Sequence, residues 1–76
     1  MASGRLLEKS MLITVNGAPL EVSDAVTVRV LVEHLGLVDG PVAVEIGGVI
    51  VPRAQHAERR VQPGDSVEIV HFVGGG

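Results

Sequence analysis

From Met11 to Val22 the apolar positions recur with a period of two. Met11, Ile13 and Val15 fall on one side of the alternation, Leu12, Thr14 and Asn16 on the other, and Leu20 and Val22 resume it after "NGAP". Period two is the signature of a strand with one face turned to a core. Asn16-Gly17 between the two runs marks a tight hairpin, because both residue types tolerate positive φ. The first two strands are therefore expected to be antiparallel neighbours.

The period changes in "TVRVLVEHLGL". Val28, Leu31, Val32 and Leu35 form the i, i+3, i+4, i+7 stripe of a helix facing a core. Val28, Val30 and Val32 would also suit a strand, and valine is a mediocre helix former. The flanking residues decide between the two: Thr27 suits an N-cap and Gly36 the position just past a helix end. A helix of two to three turns follows.

Period two returns in "PVAVEIGGVIVPR", which reads as a strand, a Gly47-Gly48 turn and a second short strand. Pro52 closes that pairing, since it has no N–H to give to a ladder. An irregular or single-turn stretch, a short extension over 60–62 and the turn "QPGD" lead to a last strand. In that strand Val67 and Ile69 share one face, and Glu68, Val70 and Phe72 the other. The order predicts one helix on one face of a small mixed sheet, an α+β arrangement that hides the apolar faces economically. The first and last strands are the most apolar, which places them together at the sheet centre. The chain is then carried out from the middle of the sheet towards its glycines.

Composition narrows the possible functions. A chain of 76 residues has room for one domain, taken as 11–73, with a loose leader over 1–10 and a flexible glycine tail over 74–76. A domain of this size buries only about 60–65% of the surface its unfolded chain exposes, so the core is thin. Cysteine is absent, which rules out disulfides, thiolate metal sites and a nucleophilic thiol. A single aromatic, Phe72, is too little for base stacking, and the net charge of −3 opposes binding to a phosphate backbone. Nucleic acid is not an expected partner. No apolar run reaches the length of a signal-peptide core or a membrane span, so the expected setting is the cytoplasm, away from membranes.

Catalytic constellations are hard to find within the chain. His34, His56 and His71 fall in three different elements without metal-ligand spacing. The acidic residues are dispersed as on a solvated surface, and no phosphate loop of the G-x-x-x-x-G-K-[ST] type occurs. The remaining candidate is the closing "HFVGGG". Glycine runs are entropically expensive to order, so packing does not account for one. Three extended residues reach about 10 Å and, lacking Cβ atoms, can thread a channel too narrow for other residues. A terminal carboxylate is inert to nucleophiles until it is joined to a leaving group such as AMP. A glycine tail on a cysteine-free domain suits a protein whose own carboxylate is a substrate.

At "VPR" (Val51, Pro52, Arg53), "PGDSVEIVHFV" and the final Gly-Gly, residues Met11 to Gly76 resemble the ThiS family, sulfur carriers of thiamine biosynthesis. The resemblance implies a ubiquitin-like β-grasp fold, in agreement with the element order. It further implies that a ThiF-like partner adenylates the carboxylate of Gly76 with ATP, that a persulfide donor replaces AMP with sulfur, and that a ThiG-like thiazole synthase consumes the thiocarboxylate. The carrier would itself be no enzyme, would bind no metal or cofactor, and would be a monomer when free. Gly76 is then the acyl site and Gly75 is needed for access. Gly74, Phe72, Val70, Glu68 and Arg53 are the expected partner contacts, with Val70 and Phe72 at the centre of a patch rimmed by Glu68 and Arg53. The same architecture also serves the small subunit of molybdopterin synthase and carriers for tRNA thiolation or protein tagging. A non-catalytic interaction module that pairs through a sheet edge is an alternative of a different class.

Overall fold

In a computed structural model, which describes residues 9–37 and 40–72, the strands form one five-stranded sheet with a helix on one face. In chain order the elements are β1 (Ser10–Val15), β2 (Ala18–Ser23), α1 (Val28–His34), β3 (Val42–Ile46), β4 (Val49–Val51), a 3-10 turn (Arg53–Gln55) and β5 (Ser66–His71). The sheet order is β2-β1-β5-β3-β4. β5 is thus central, parallel to β1 and antiparallel to β3. Among the described residues no helix is long and apolar enough to cross a membrane.

The hairpin forms where the Asn-Gly pair predicts it. Asn16 and Gly17 both take positive φ, 51° and 84°, and Met11 pairs with Val22 and Ile13 with Leu20. This register turns Met11, Ile13 and Val22 into the core. α1 begins and ends on the expected residues. The Thr27 hydroxyl accepts the Val30 N–H at 3.2 Å. Past the other end, the Gly36 N–H donates to the Glu33 carbonyl and the Leu37 N–H to the Val32 carbonyl. With Gly36 at φ 75° this is a Schellman ending, and Leu37 packs partly buried against the core.

Segment 56–61 does more than the irregular or single-turn stretch and the short extension over 60–62 expected there. The first two free N–H groups of α1, on Val28 and Arg29, donate to the carbonyls of Arg59 and His56, each at 2.9 Å. Together with Thr27 this satisfies the first turn of the helix, which otherwise lacks backbone partners. Val61 is buried beneath this strap, and its N–H donates to the Val26 carbonyl. The core is built from Val and Ile of all five strands, Val28, Leu31 and Val32 of the helix, and Val26 and Val61 of the connections. It contains no buried polar or charged residue among those described.

Candidate functional site

β5 is the platform from which the chain runs to its glycines. On one side it pairs with β3 along five residues, from Ile46 opposite Val67 to Val42 opposite His71. On the other side the pairing with β1 covers only Thr14–Ser66 and Val15–Val67, because β1 turns away at Asn16. The side chain of Asn16 takes over there. Its Oδ1 accepts the Ile69 N–H at 2.7 Å, and its Nδ2 donates to the Ile69 carbonyl at 3.1 Å. One carboxamide thus supplies both the donor and the acceptor that a further β1 residue would have offered. The sequence pattern gave Asn16 a turn role and left this second role unassigned; the Asn-Gly signal is satisfied by the turn alone.

The last described step of the strand is also held. The Phe72 N–H donates to the Pro41 carbonyl at 3.0 Å. Gly40 lies against the same point with φ 91°, and a Cβ there would sit 3.0 Å from the Phe72 carbonyl oxygen. Any other residue would be strained in backbone and would press on the strand end. Gly40 therefore shapes the exit of the strand. Val73, Gly74, Gly75 and Gly76 lie outside the described residues, so the expectations placed on the glycines concern positions beyond the last described one.

The pleat of β5 separates its side chains as expected. Val67 and Ile69 are buried under α1, whereas Val70 and Phe72 are 53% and 52% exposed on the open face, with Glu68 exposed beside them. Leu12 of β1 and Ile50 of β4 are exposed on the same face by their pairing with Glu21 and Glu45. His71 falls on the covered side and is half-buried, with its Nε2 3.6 Å from the position a Gly40 Cβ would take.

Arg53 does not join this face. It lines a groove of about 270 Å³ on the helix side, together with Arg29, Val32, Gly40, Val42 and His56. The expectation that Arg53 rims the Val70–Phe72 patch beside Glu68 is corrected accordingly. After Pro52 the chain turns into the 3-10 segment and crosses towards the helix N-terminus, taking Arg53 with it. His56, in the same segment, has its Nε2 3.0 Å from the Val51 carbonyl. The three histidines do not converge, and among the described residues no group of His, Asp and Glu could hold a metal ion.

Comparison with known proteins gives this geometry a context. The ThiS family model matches residues 7–76. A thiazole synthase of Paramagnetospirillum magneticum is 41% identical over 66 residues, and one of Magnetococcus marinus 36% identical over 66 residues, each alignment covering 87% of this chain. The chain spans about a fifth (20%) of the length of these curated relatives. Among solved structures, the thiamine biosynthesis protein ThiS of Geobacter metallireducens is 35% identical, with a TM-score of 0.73 over 87% of this chain and 100% of that one. The five-stranded mixed sheet with its single covering helix is thus the ubiquitin-like β-grasp fold of that structure, and the chain belongs to the ThiS family.

Proposed function

We propose that this protein is a sulfur carrier for thiazole formation in thiamine biosynthesis, and that sulfur travels as a thiocarboxylate on Gly76. The observation that carries the reading is the position of β5. In a ThiS-family chain, the central strand of the sheet ends at His71, with only Phe72 between it and the sequence "VGGG". The strand is held by β3 on one side and by β1 and Asn16 on the other. On this reading the domain is a rigid mount for a segment without side chains.

A carboxylate must be activated before it will accept sulfur. In the ThiF-like partner a Gly76 carboxylate oxygen attacks the α-phosphorus of ATP, and pyrophosphate leaves to give the acyl-adenylate. The terminal sulfur of a cysteine persulfide then attacks the acyl carbon, and AMP departs with the C–O bond electrons. The product is an acyl disulfide that keeps the persulfide's S–S bond. A second thiol, as thiolate, attacks the donor cysteine's sulfur and forms a disulfide with it, and the electrons of the broken S–S bond leave with the thiocarboxylate on Gly76. The sulfur anion is a far better nucleophile than the carboxylate it replaces, as delivery to a thiazole synthase requires. The similarity of this chain to a segment of two thiazole synthases supports that destination.

The carrier is in this scheme a substrate rather than an enzyme, and ATP is bound by the partner. Gly74 and Gly75 keep the approach to the reacting carbon narrow, because neither carries a Cβ. Val70, Phe72 and Glu68 meet partners on the open face, and Arg53 meets them from the groove side. The test is intact mass after incubation with a ThiF-like enzyme, ATP and a persulfide source. The expected product has one carboxylate oxygen replaced by sulfur. Gly75→Trp, or a tag appended after Gly76, should abolish the product while the circular dichroism spectrum stays that of the folded domain. Normal turnover of the extended, unprocessed protein would overturn the assignment.

A further inference from the structure

The open face carries a feature that presentation of the tail does not require. Pairing of β3 with β5 sets Glu45 directly opposite Glu68, with Ala43 and Val70 as the next pair towards the exit. Like charges directly opposite on neighbouring strands repel, and native sheets usually avoid them. Glu68 is exposed and Glu45 half-buried. Among the described residues neither is relieved: the ion pair there joins Arg29 to Glu33 on the helix, and neither Glu45 nor Glu68 takes part in a side-chain hydrogen bond. The strand positions turned to this face hold a third carboxylate, Glu21, and no lysine, arginine or histidine. Around the pair stand exposed apolar side chains, Val70 at 53%, Ile50 at 67% and Leu12 at 60%.

We propose that this face receives a protein partner that inserts an arginine or lysine side chain between Glu45 and Glu68, with apolar neighbours resting on Val70 and Ile50. The proposal rests on the carrier function above and supplies the chemistry of the adenylating partner's docking surface. A guanidinium is the best fit, since its planar fork can bond two carboxylates at once. Charge complementarity selects this occupant over the others. A second copy of the chain would bring three carboxylates against three, and a nucleic acid or an anionic bilayer would be repelled. A cation placed between the two carboxylates offsets their mutual repulsion, so the correct partner gains an interaction that a neutral surface does not offer.

The test measures binding of a ThiF-like adenylating enzyme, by calorimetry at low and high salt, to wild type, Glu68→Gln, Glu45→Gln/Glu68→Gln and Glu68→Lys. Wild-type affinity should fall with salt. The double neutral variant should bind about tenfold more weakly or worse, with a flattened salt dependence and an unchanged or raised melting temperature. Glu68→Lys should bind more weakly still. If the neutral variants are folded and bind like wild type with the same salt slope, the docking proposal is overturned, while AMP-adduct formation on Gly76, read by intact mass, can still stand. If wild type forms no adduct and does not bind, the carrier reading itself fails and takes the proposal with it. Sedimentation supplies a third outcome: a wild-type dimer that tightens on neutralisation would assign the face to a second copy. The single variant Glu68→Gln, at an exposed position, keeps the test valid if the double variant is poorly folded.

Discussion

Ile69 and Val70 are neighbours in one strand and similar in chemistry, yet Ile69 is 6% exposed and Val70 53%. The difference is the pleat: one side of β5 lies under α1 and the other faces outward. On the covered side packing decides the positions, and Val67, Ile69, Val44 and Ile46 share one buried cluster with Leu31 and Val28. On the open side packing decides little. There the strand carries Glu68 opposite Glu45 and leaves Val70 and Phe72 uncovered. Apolar residues that fold the chain and apolar residues that fold nothing thus alternate along six residues, and only the second set is free to serve a partner.

The largest expected effect breaks this comparison by cutting both sides in turn. Ile69→Ala should lose about 2–5 kcal/mol, the usual range for truncating a buried isoleucine. A domain of this length has about 4–11 kcal/mol in all, so the variant should lose a large share of its stability and its urea midpoint should fall markedly. Val70→Ala should lose no more than about 1 kcal/mol, because it empties no cavity. Urea titrations of the two variants check the pair. Equal losses would mean that the open face is covered in the free protein, and the division of the strand would collapse.

An intermediate effect is expected where the two regions share a support. Asn16→Gly keeps the positive φ of the turn but deletes both hydrogen bonds to Ile69. The loss should be about 1–3 kcal/mol, from two bonds at about 0.5–1.5 kcal/mol each. Amide exchange should accelerate first at Ile69, whose N–H loses its Asn16 acceptor, and least at Val67, where β5 is still paired with Val15 of β1. Uniform acceleration along β5 would show that Asn16 holds the sheet as a whole rather than the end of the strand.

These two regions were not equally legible from the residues. Strict alternation in Met11–Val22 and 67–72, the Asn-Gly turn and the Thr27 and Gly36 punctuation are local signals, and the structure follows each of them. Contacts between distant segments left no such trace. The hydrogen bonds of Asn16 to Ile69 span 53 positions, and the Arg59 and His56 carbonyls that receive the helix N–H groups lie in a segment without periodicity. Arg53 was misplaced for the same reason. A strand pattern fixes which side of the sheet a residue faces, but Pro52 ends the pattern, and the next residue follows a path that only the strap's bonds to α1 determine. The likeness of "VPR" and "PGDSVEIVHFV" to the ThiS family pointed to the family alone. It did not supply the repulsive pair of Glu45 and Glu68, which becomes visible only once β3 and β5 are in register.

The smallest change in the fold should accompany the last variant, Phe72→Ala. Phe72 lies just past β5, half exposed, and its N–H rather than its ring is held by Pro41. Removing the ring leaves that backbone bond in place and opens no cavity, so stability should change by no more than about 0.5 kcal/mol. Binding is a different matter, because an aromatic at the centre of an interface commonly contributes more than about 1–2 kcal/mol. Affinity for the adenylating enzyme should therefore fall about tenfold, or about 1.4 kcal/mol. Salt should change the affinity of the variant as steeply as that of wild type, because both glutamates remain. This separates the apolar share of the open face from the share carried by Glu45 and Glu68. If Phe72→Ala instead unfolds the domain, the ring belongs to the packed side of the comparison. If it binds normally, the exposed aromatic is incidental and the docking centre lies nearer β3 and β4.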